Sequence, residues 1–80
     1  NNKGESENIK IFNAGGTIFV HNMSNSDGYV CVYDVSGRLF RKVVMERNAV
    51  AAIRNLNKSF FVVNAYTETE SSSRQIFNNY

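Results

Sequence analysis

Tyr33-Asp34-Val35-Ser36-Gly37-Arg38 constrains this chain more than any other stretch. It joins two alternating apolar segments, Tyr29–Asp34 and Arg38–Glu46, and can do so only as a tight reversal. The Asp34 side chain can accept hydrogen bonds from the backbone ahead of it. Gly37 can take the positive φ that returns the chain to a strand. Two alternating segments closed in this way make an antiparallel hairpin.

The remainder repeats the same grammar. Asn8–Asn13 sets Ile9 and Ile11 on one face and Phe12 on the other. Ala14-Gly15-Gly16 then turns the chain into Thr17–Asn22, where Ile18 and Val20 oppose Phe19 and His21. Ser24–Gly28 is a loop in which Asp27 and Gly28 read as turn residues. Tyr29–Asp34 sets Val30 and Val32 against Tyr29, Cys31 and Tyr33. Arg38–Glu46 carries Leu39, Val43 and Met45 on one face and Phe40 and Val44 on the other, and the pattern leaves open which of them is inward. Arg47-Asn48 leads into Ala49–Ile53, with Ala49, Ala51 and Ile53 on one face. Asn55–Ser59 is a loop, with Leu56 tucked beneath the sheet. Phe60–Tyr66 is the most apolar run and reads as a central strand covered on both faces. Thr67–Ser73 is polar, and Arg74–Asn78 closes the series as a short last strand.

Strands at a spacing of about ten residues, with no helical segment between them, predict an all-β fold: a small antiparallel sandwich of about seven strands. A closed barrel is the alternative. Residues 8–80 form this module, and the polar, aperiodic Asn1–Glu7 reads as a flexible linker arriving from domains upstream in the same polypeptide. Eighty residues hold one core, and a domain of that size buries only about 60% of its unfolded surface. The chain has no proline, so Arg41, Lys42 and Arg74 are the residues left to discourage pairing at exposed strand edges.

Composition narrows the function classes. A net charge of +2 is too small to imply nucleic acid or an acidic membrane. No apolar run approaches the ~20 residues of a membrane-spanning helix, and no signal peptide stands at the start of the sequence. The single cysteine excludes an internal disulfide, and Cys31 reads as a small buried apolar residue.

Each candidate for chemistry has a plainer reading. His21 and Cys31 could face each other as a dyad, yet the sequence offers no orienting group, pocket or oxyanion hole for it. Asn25-Ser26-Asp27-Gly28 resembles a calcium loop but carries one carboxylate, too few for a metal. Arg38, Arg41, Lys42, Arg47, Arg54 and Lys58 lie near Tyr29, Tyr33 and Phe40, as in single-stranded nucleic-acid binders. The acids nearly balance them, and a solvated face is the default. Carbohydrate-binding sandwiches display coplanar aromatics, whereas this chain has no tryptophan and its aromatics sit mostly in strands. Asn22-Met23-Ser24 and Asn57-Lys58-Ser59 match the glycosylation tripeptide, in loops where Asn and Ser belong anyway. The expectation is a domain without catalysis, cofactor or metal.

The order of segments resembles a known family. Gly16-Thr17-Ile18-Phe19-Val20, then Val30–Asp34 with Gly37-Arg38, then Leu56–Val63, is similar to the Por secretion system C-terminal sorting domain, the type IX secretion signal domain of Bacteroidetes. The likeness runs over roughly Ile9–Phe77 and is best in Val30–Arg38. The family's early Asn-Pro is missing, its Gly-x-Tyr is Ser59-Phe60-Phe61 here, and its lysine-rich end is reduced to Arg74-Gln75-Ile76-Phe77-Asn78. The resemblance implies an immunoglobulin-like sandwich with no activity of its own, at the C-terminus of an exported protein found outside the cell or on its surface. It implies recognition by outer-membrane secretion or attachment machinery. The surfaces nominated for that are the turn Asp34, Gly37 and Arg38 and the edge Arg74, Gln75, Ile76 and Phe77. A structural cap, or an interaction or carbohydrate-binding accessory module using Tyr29, Tyr66 or a neighbouring arginine, is the alternative.

Overall fold

A computed structural model of the chain describes residues 5–79. They form β1 (Ile9–Ala14), β2 (Thr17–Asn22), β3 (Gly28–Tyr33), β4 (Leu39–Met45), β5 (Ala49–Ile53), β6 (Ser59–Tyr66) and β7 (Ser71–Asn78). All pairings are antiparallel, in one sheet of order β1-β2-β5 and another of order β4-β3-β6-β7. Two separate sheets make a sandwich and exclude the barrel. The arrangement is immunoglobulin-like, with the fourth strand lying beside the third instead of beside the fifth.

Period-two alternation supplies the core. Ile9, Ile11, Ile18, Val20 and Ile53 point inward from one sheet, and Val30, Val32, Met45, Phe61, Val63, Ala65 and Ile76 from the other. Leu56 packs beneath this layer from the β5–β6 loop, as its position in the sequence predicts.

Polar side chains seal the two open corners. At one, Arg74 of β7 donates to the Ile11 carbonyl at 2.7 Å, and the buried Ser72 hydroxyl donates to the Ile9 carbonyl at 2.8 Å. At the other, Arg41 of β4 donates to the carbonyls of Arg54 and Asn55 at 2.9 and 3.1 Å. Asn22 anchors the loop between the sheets although it is completely buried. Its amide donates to the carbonyls of Ser26 and Glu46, and its Oδ1 accepts from the Ser24 amide and hydroxyl. With Nδ2 committed to two carbonyls and no exposed surface, the first glycosylation tripeptide is closed in the folded domain.

Five expectations are corrected. In β4, Val32 pairs with Arg41 but Tyr33 pairs with Leu39, so Phe40 is an extra, bulged residue. The bulge turns Leu39 to the outer face and swings the Phe40 ring to 5.4 Å from Phe61. Strand β6 is covered on one face only: Phe60, Val62 and Tyr66 are exposed because no third layer lies outside the sandwich. The last strand begins at Ser71, not Arg74, since Ser72 satisfies its hydroxyl across the corner and can be buried. Within the expected linker, residues 1–4 lie outside the described residues, while Ser6 is tied down. Its amide reaches the Ser71 carbonyl and its hydroxyl donates to Glu70. Finally, Gly28 is the buried first residue of β3 and not a turn residue. A Cβ built there would stand 2.0 Å from the Tyr66 carbonyl oxygen, so this close approach admits only glycine.

These packing assignments set two mutational outcomes. Val32→Ala, which empties a fully buried position, should cost about 1–3 kcal/mol in denaturant unfolding. Gly28→Ala should cost at least as much, roughly 1–3 kcal/mol or more, because the obstacle is backbone. A Val32 variant of unchanged stability would mean that its face is not the core.

Candidate functional site

The turn after β3 is built as its residues dictate. The Asp34 amide donates to the Arg38 carbonyl, and the Gly37 amide to the Asp34 carbonyl. Asp34 Oδ1 accepts from the Ser36 amide at 2.9 Å, the Ser36 hydroxyl at 2.7 Å and the Arg38 amide at 3.1 Å. Gly37 lies at φ +87°, the left-handed region that favours glycine. The Arg38 guanidinium stands 3.9 Å from the Asp34 carboxylate and is otherwise in water. The Ser36 hydroxyl, and after it the Arg38 amide, hold the Asp34 carboxyl below the usual carboxylate range.

Beside this turn lies an open cleft of about 470 Å³ on the outer face of the four-stranded sheet. Tyr33, Asp34, Val35 and Gly37 form one wall. Phe60, Phe61 and Val62 of β6 form the floor and Gln75 of β7 the far side. The cleft thus joins the turn, the Leu56–Val63 segment and the last strand, three segments far apart in sequence. Its chemistry is that of an apolar seat with a few polar groups: Asp34 has its Oδ1 fully engaged. The Gln75 amide has no hydrogen bond among the described residues.

The four residues nominated on the last strand divide. Ile76 is a core residue, so it is not available for recognition. Arg74 is spent on the corner. Gln75 and Phe77 point outward, the Phe77 ring tilted against Phe60 with ring centroids 4.5 Å apart. Sequence reasoning missed the cleft because it forms only when β3 and β6 pair. The signal that could have found it is the alternation of Phe60 and Val62 with Phe61 and Val63, read as one wet face.

Farther along the same outer face, Tyr29 and Tyr66 are cross-strand partners with centroids 6.0 Å apart, and the Lys42 ammonium sits 4.6 Å from the Tyr29 ring. Cys31 lies two residues farther along β3, opposite Lys42 and Asn64, and is buried. Its proximity, and then burial, pushes the Tyr33 phenol above its ordinary range. His21 belongs to the other sheet and pairs with Lys10 and Val50 on the opposite outer face. His21 and Cys31 therefore cannot form a dyad. Asp27 accepts from the Arg47 amide and guanidinium, which hold its carboxyl below the usual range. Among the described residues, no three His, Cys, Asp or Glu side chains converge as a metal site would need. No helix among them is long and apolar enough to cross a membrane.

Three carboxyls, Asp27, Asp34 and Glu70, titrate below their ordinary range in the folded domain. Groups with depressed folded pKa stabilise above the unfolded value and lose that contribution as pH falls through the folded one. The melting temperature should therefore fall below about pH 4. Asp34→Ala should melt lower at neutral pH and show a smaller acid-induced drop; an identical drop in the variant would remove Asp34 from the acid response. Compared with known proteins, the chain matches no protein-family model and no curated protein.

Proposed function

We propose that the domain is a non-catalytic recognition module of an exported bacterial surface protein, serving secretion or surface attachment. It acts at the C-terminus of a larger polypeptide, as the resemblance to the type IX sorting family implies, and is read by outer-membrane machinery. One observation carries this reading: two of the segments that bear the resemblance, Val30–Arg38 and Leu56–Val63, meet the last strand at the cleft beside the Asp34 turn, while the third, Gly16–Val20, belongs to the other sheet. A rigid turn, an apolar floor and an amide suit the docking of a partner's apolar side chain.

A second reading has its own support. The outward residues of the four-stranded sheet include one charged group, Lys42, among Tyr29, Tyr33, Phe60, Val62, Tyr66 and Phe77. A nearly neutral aromatic face suits an interaction or carbohydrate-binding accessory module.

The test fuses the domain behind a signal peptide and a reporter in a bacterium with the type IX system. Truncation at residue 74 would be uninformative, because it removes Ile76 from the core. Val35→Glu is the better variant, since Val35 lines the cleft yet is 74% exposed. The fusion should reach the surface, and its Val35→Glu form should stay periplasmic while folding normally. Periplasmic retention of a folded unmutated fusion would overturn the sorting role. If Tyr29→Ala or Tyr66→Ala then abolished binding to cell-surface glycans, the second reading would stand in its place.

A further inference from the structure

Tyr29 and Tyr66 border a second concavity, at the end of the four-stranded sheet away from the Asp34 turn. It holds about 260 Å³ and is lined by Asp27, Gly28, Tyr29, Tyr66, Thr67 and Glu68. The two rings are 6.0 Å apart and inclined at 41°, so they form the sides of a trough and not a flat platform. Such a pair would hold β3 to β6 without any ligand. The polar groups around it are what the pairing does not require. Thr67 Oγ1 accepts from the Thr69 and Glu70 amides at 3.3 and 3.1 Å, which fixes the loop and leaves the hydroxyl hydrogen to donate outward. Asp27 is spent on Arg47. Glu68 is exposed and belongs to no ion pair among the described residues.

Charge decides what fits. An anion would face the carboxylates of Asp27 and Glu68, with no cation among the lining residues to offset them. A cation would seek the tyrosine rings, but the Lys42 ammonium already stands 4.6 Å from the Tyr29 ring and repels another. A wholly apolar body would strip water from Glu68 and return no hydrogen bond. The chemistry left is a neutral ring with one apolar face and hydroxyl groups around its edge.

We propose that this pocket binds one neutral pyranose, the exposed end of a glycan. The C–H face of the sugar lies against Tyr29 and Tyr66, one hydroxyl donates to Glu68 and another accepts from Thr67. The volume falls just short of the roughly 300 Å³ at which sites for drug-sized ligands begin, so the pocket admits a single ring and not a chain. The proposal rests on the second reading above, the carbohydrate-binding module, and supplies its seat, its polar partners and its ligand class. It is independent of the cleft beside the Asp34 turn.

Amide chemical-shift mapping of the chain tests it, in titrations with the methyl glycosides of glucose, galactose, mannose and N-acetylglucosamine. At least one should shift Tyr29, Tyr66, Thr67 and Glu68 saturably, with a dissociation constant of about 1 mM, and leave Val35 and Gln75 unmoved. Glu68→Ala, at an exposed loop position, should weaken binding about tenfold, as the loss of one hydrogen bond to a charged group implies. Tyr66→Ala should abolish it, with circular dichroism and melting curves establishing that the sandwich is intact. Val35→Glu should bind as the unmutated chain does. Methyl glucuronide and tetramethylammonium, the anionic and cationic probes, should not bind, and saturation by either in place of a neutral glycoside would overturn the ligand class. No response to any of the four glycosides up to their solubility would overturn the site. Adhesion to cell-surface glycans that is lost in Tyr29→Ala or Tyr66→Ala, but kept in Glu68→Ala with no single glycoside bound, would overturn this site and leave the second reading standing. Absence of all glycan adhesion would overturn both.

Discussion

Arg74 leaves the β7 backbone and donates to a carbonyl of β1, and Arg41 does the same from β4 to the end of β5. These two cations close the sandwich along its two edges, one between β7 and β1 and the other between β4 and the end of β5. A hydrogen bond from a charged donor is worth about 1.5–3 kcal/mol when shielded from water and less where it is exposed. An open corner would give water access to Ile9, Ile11 and Ile76 on one side and to Ile53 on the other. A domain of this size has a margin of only about 5–15 kcal/mol, so it depends on such seals. The long stem of each arginine also covers apolar surface that no third layer can cover.

Most of the fold was legible because period two is a strong code. Ile9/Ile11, Ile18/Val20, Val30/Val32 and Phe61/Val63 point inward as their alternation requires, and β2 and β5 begin and end where the turn residues place them. The failures share a cause: they concern residues whose environment is set by a strand distant in sequence. Phe40 breaks the alternation of β4 because β3 binds it in bulged register. Ser71–Ser73 looks like loop until β1 offers a carbonyl to Ser72. Gly28 looks like a turn glycine until the Tyr66 carbonyl is seen against it. Asn22 looks like a surface amide until both sheets close over it and four hydrogen bonds satisfy it.

The candidate site was legible only in halves. Asp34, Gly37 and Arg38 announce a turn, and the turn is as they announce it. Nothing in the one-dimensional pattern says that Phe60, Val62 and Gln75 stand next to it, since that depends on β3 pairing with β6 and β6 with β7. The edge Arg74–Phe77 was misjudged for a related reason. Sequence gives the strand but not which of its two sides faces the other sheet, and one residue of offset exchanges the core for the surface. Ile76 and Arg74 fall on the inward side, so only Gln75 and Phe77 remain to meet a partner.

The exposed aromatics must be weighed against their structural work. Phe60–Phe77 and Tyr29–Tyr66 are cross-strand pairs of tilted rings on one outer face, and the stacked Phe12–Phe19 is their counterpart on the other. Pairs of this kind hold adjacent strands together by roughly 0.2–1 kcal/mol each, and so would be present without any ligand. The cleft is a different matter. Val35 contributes to no such pair, is turned out to water at the tip of the turn, and still forms part of the cleft wall. The turn that carries it is held by three hydrogen bonds to a single carboxylate oxygen. A wall fixed in advance loses little freedom when a partner docks, so more of the contact energy survives as affinity. The sequence spends Asp34, Ser36 and Gly37 on making rigid a loop that the core does not need rigid. That is the property that separates the cleft from the rest of this surface.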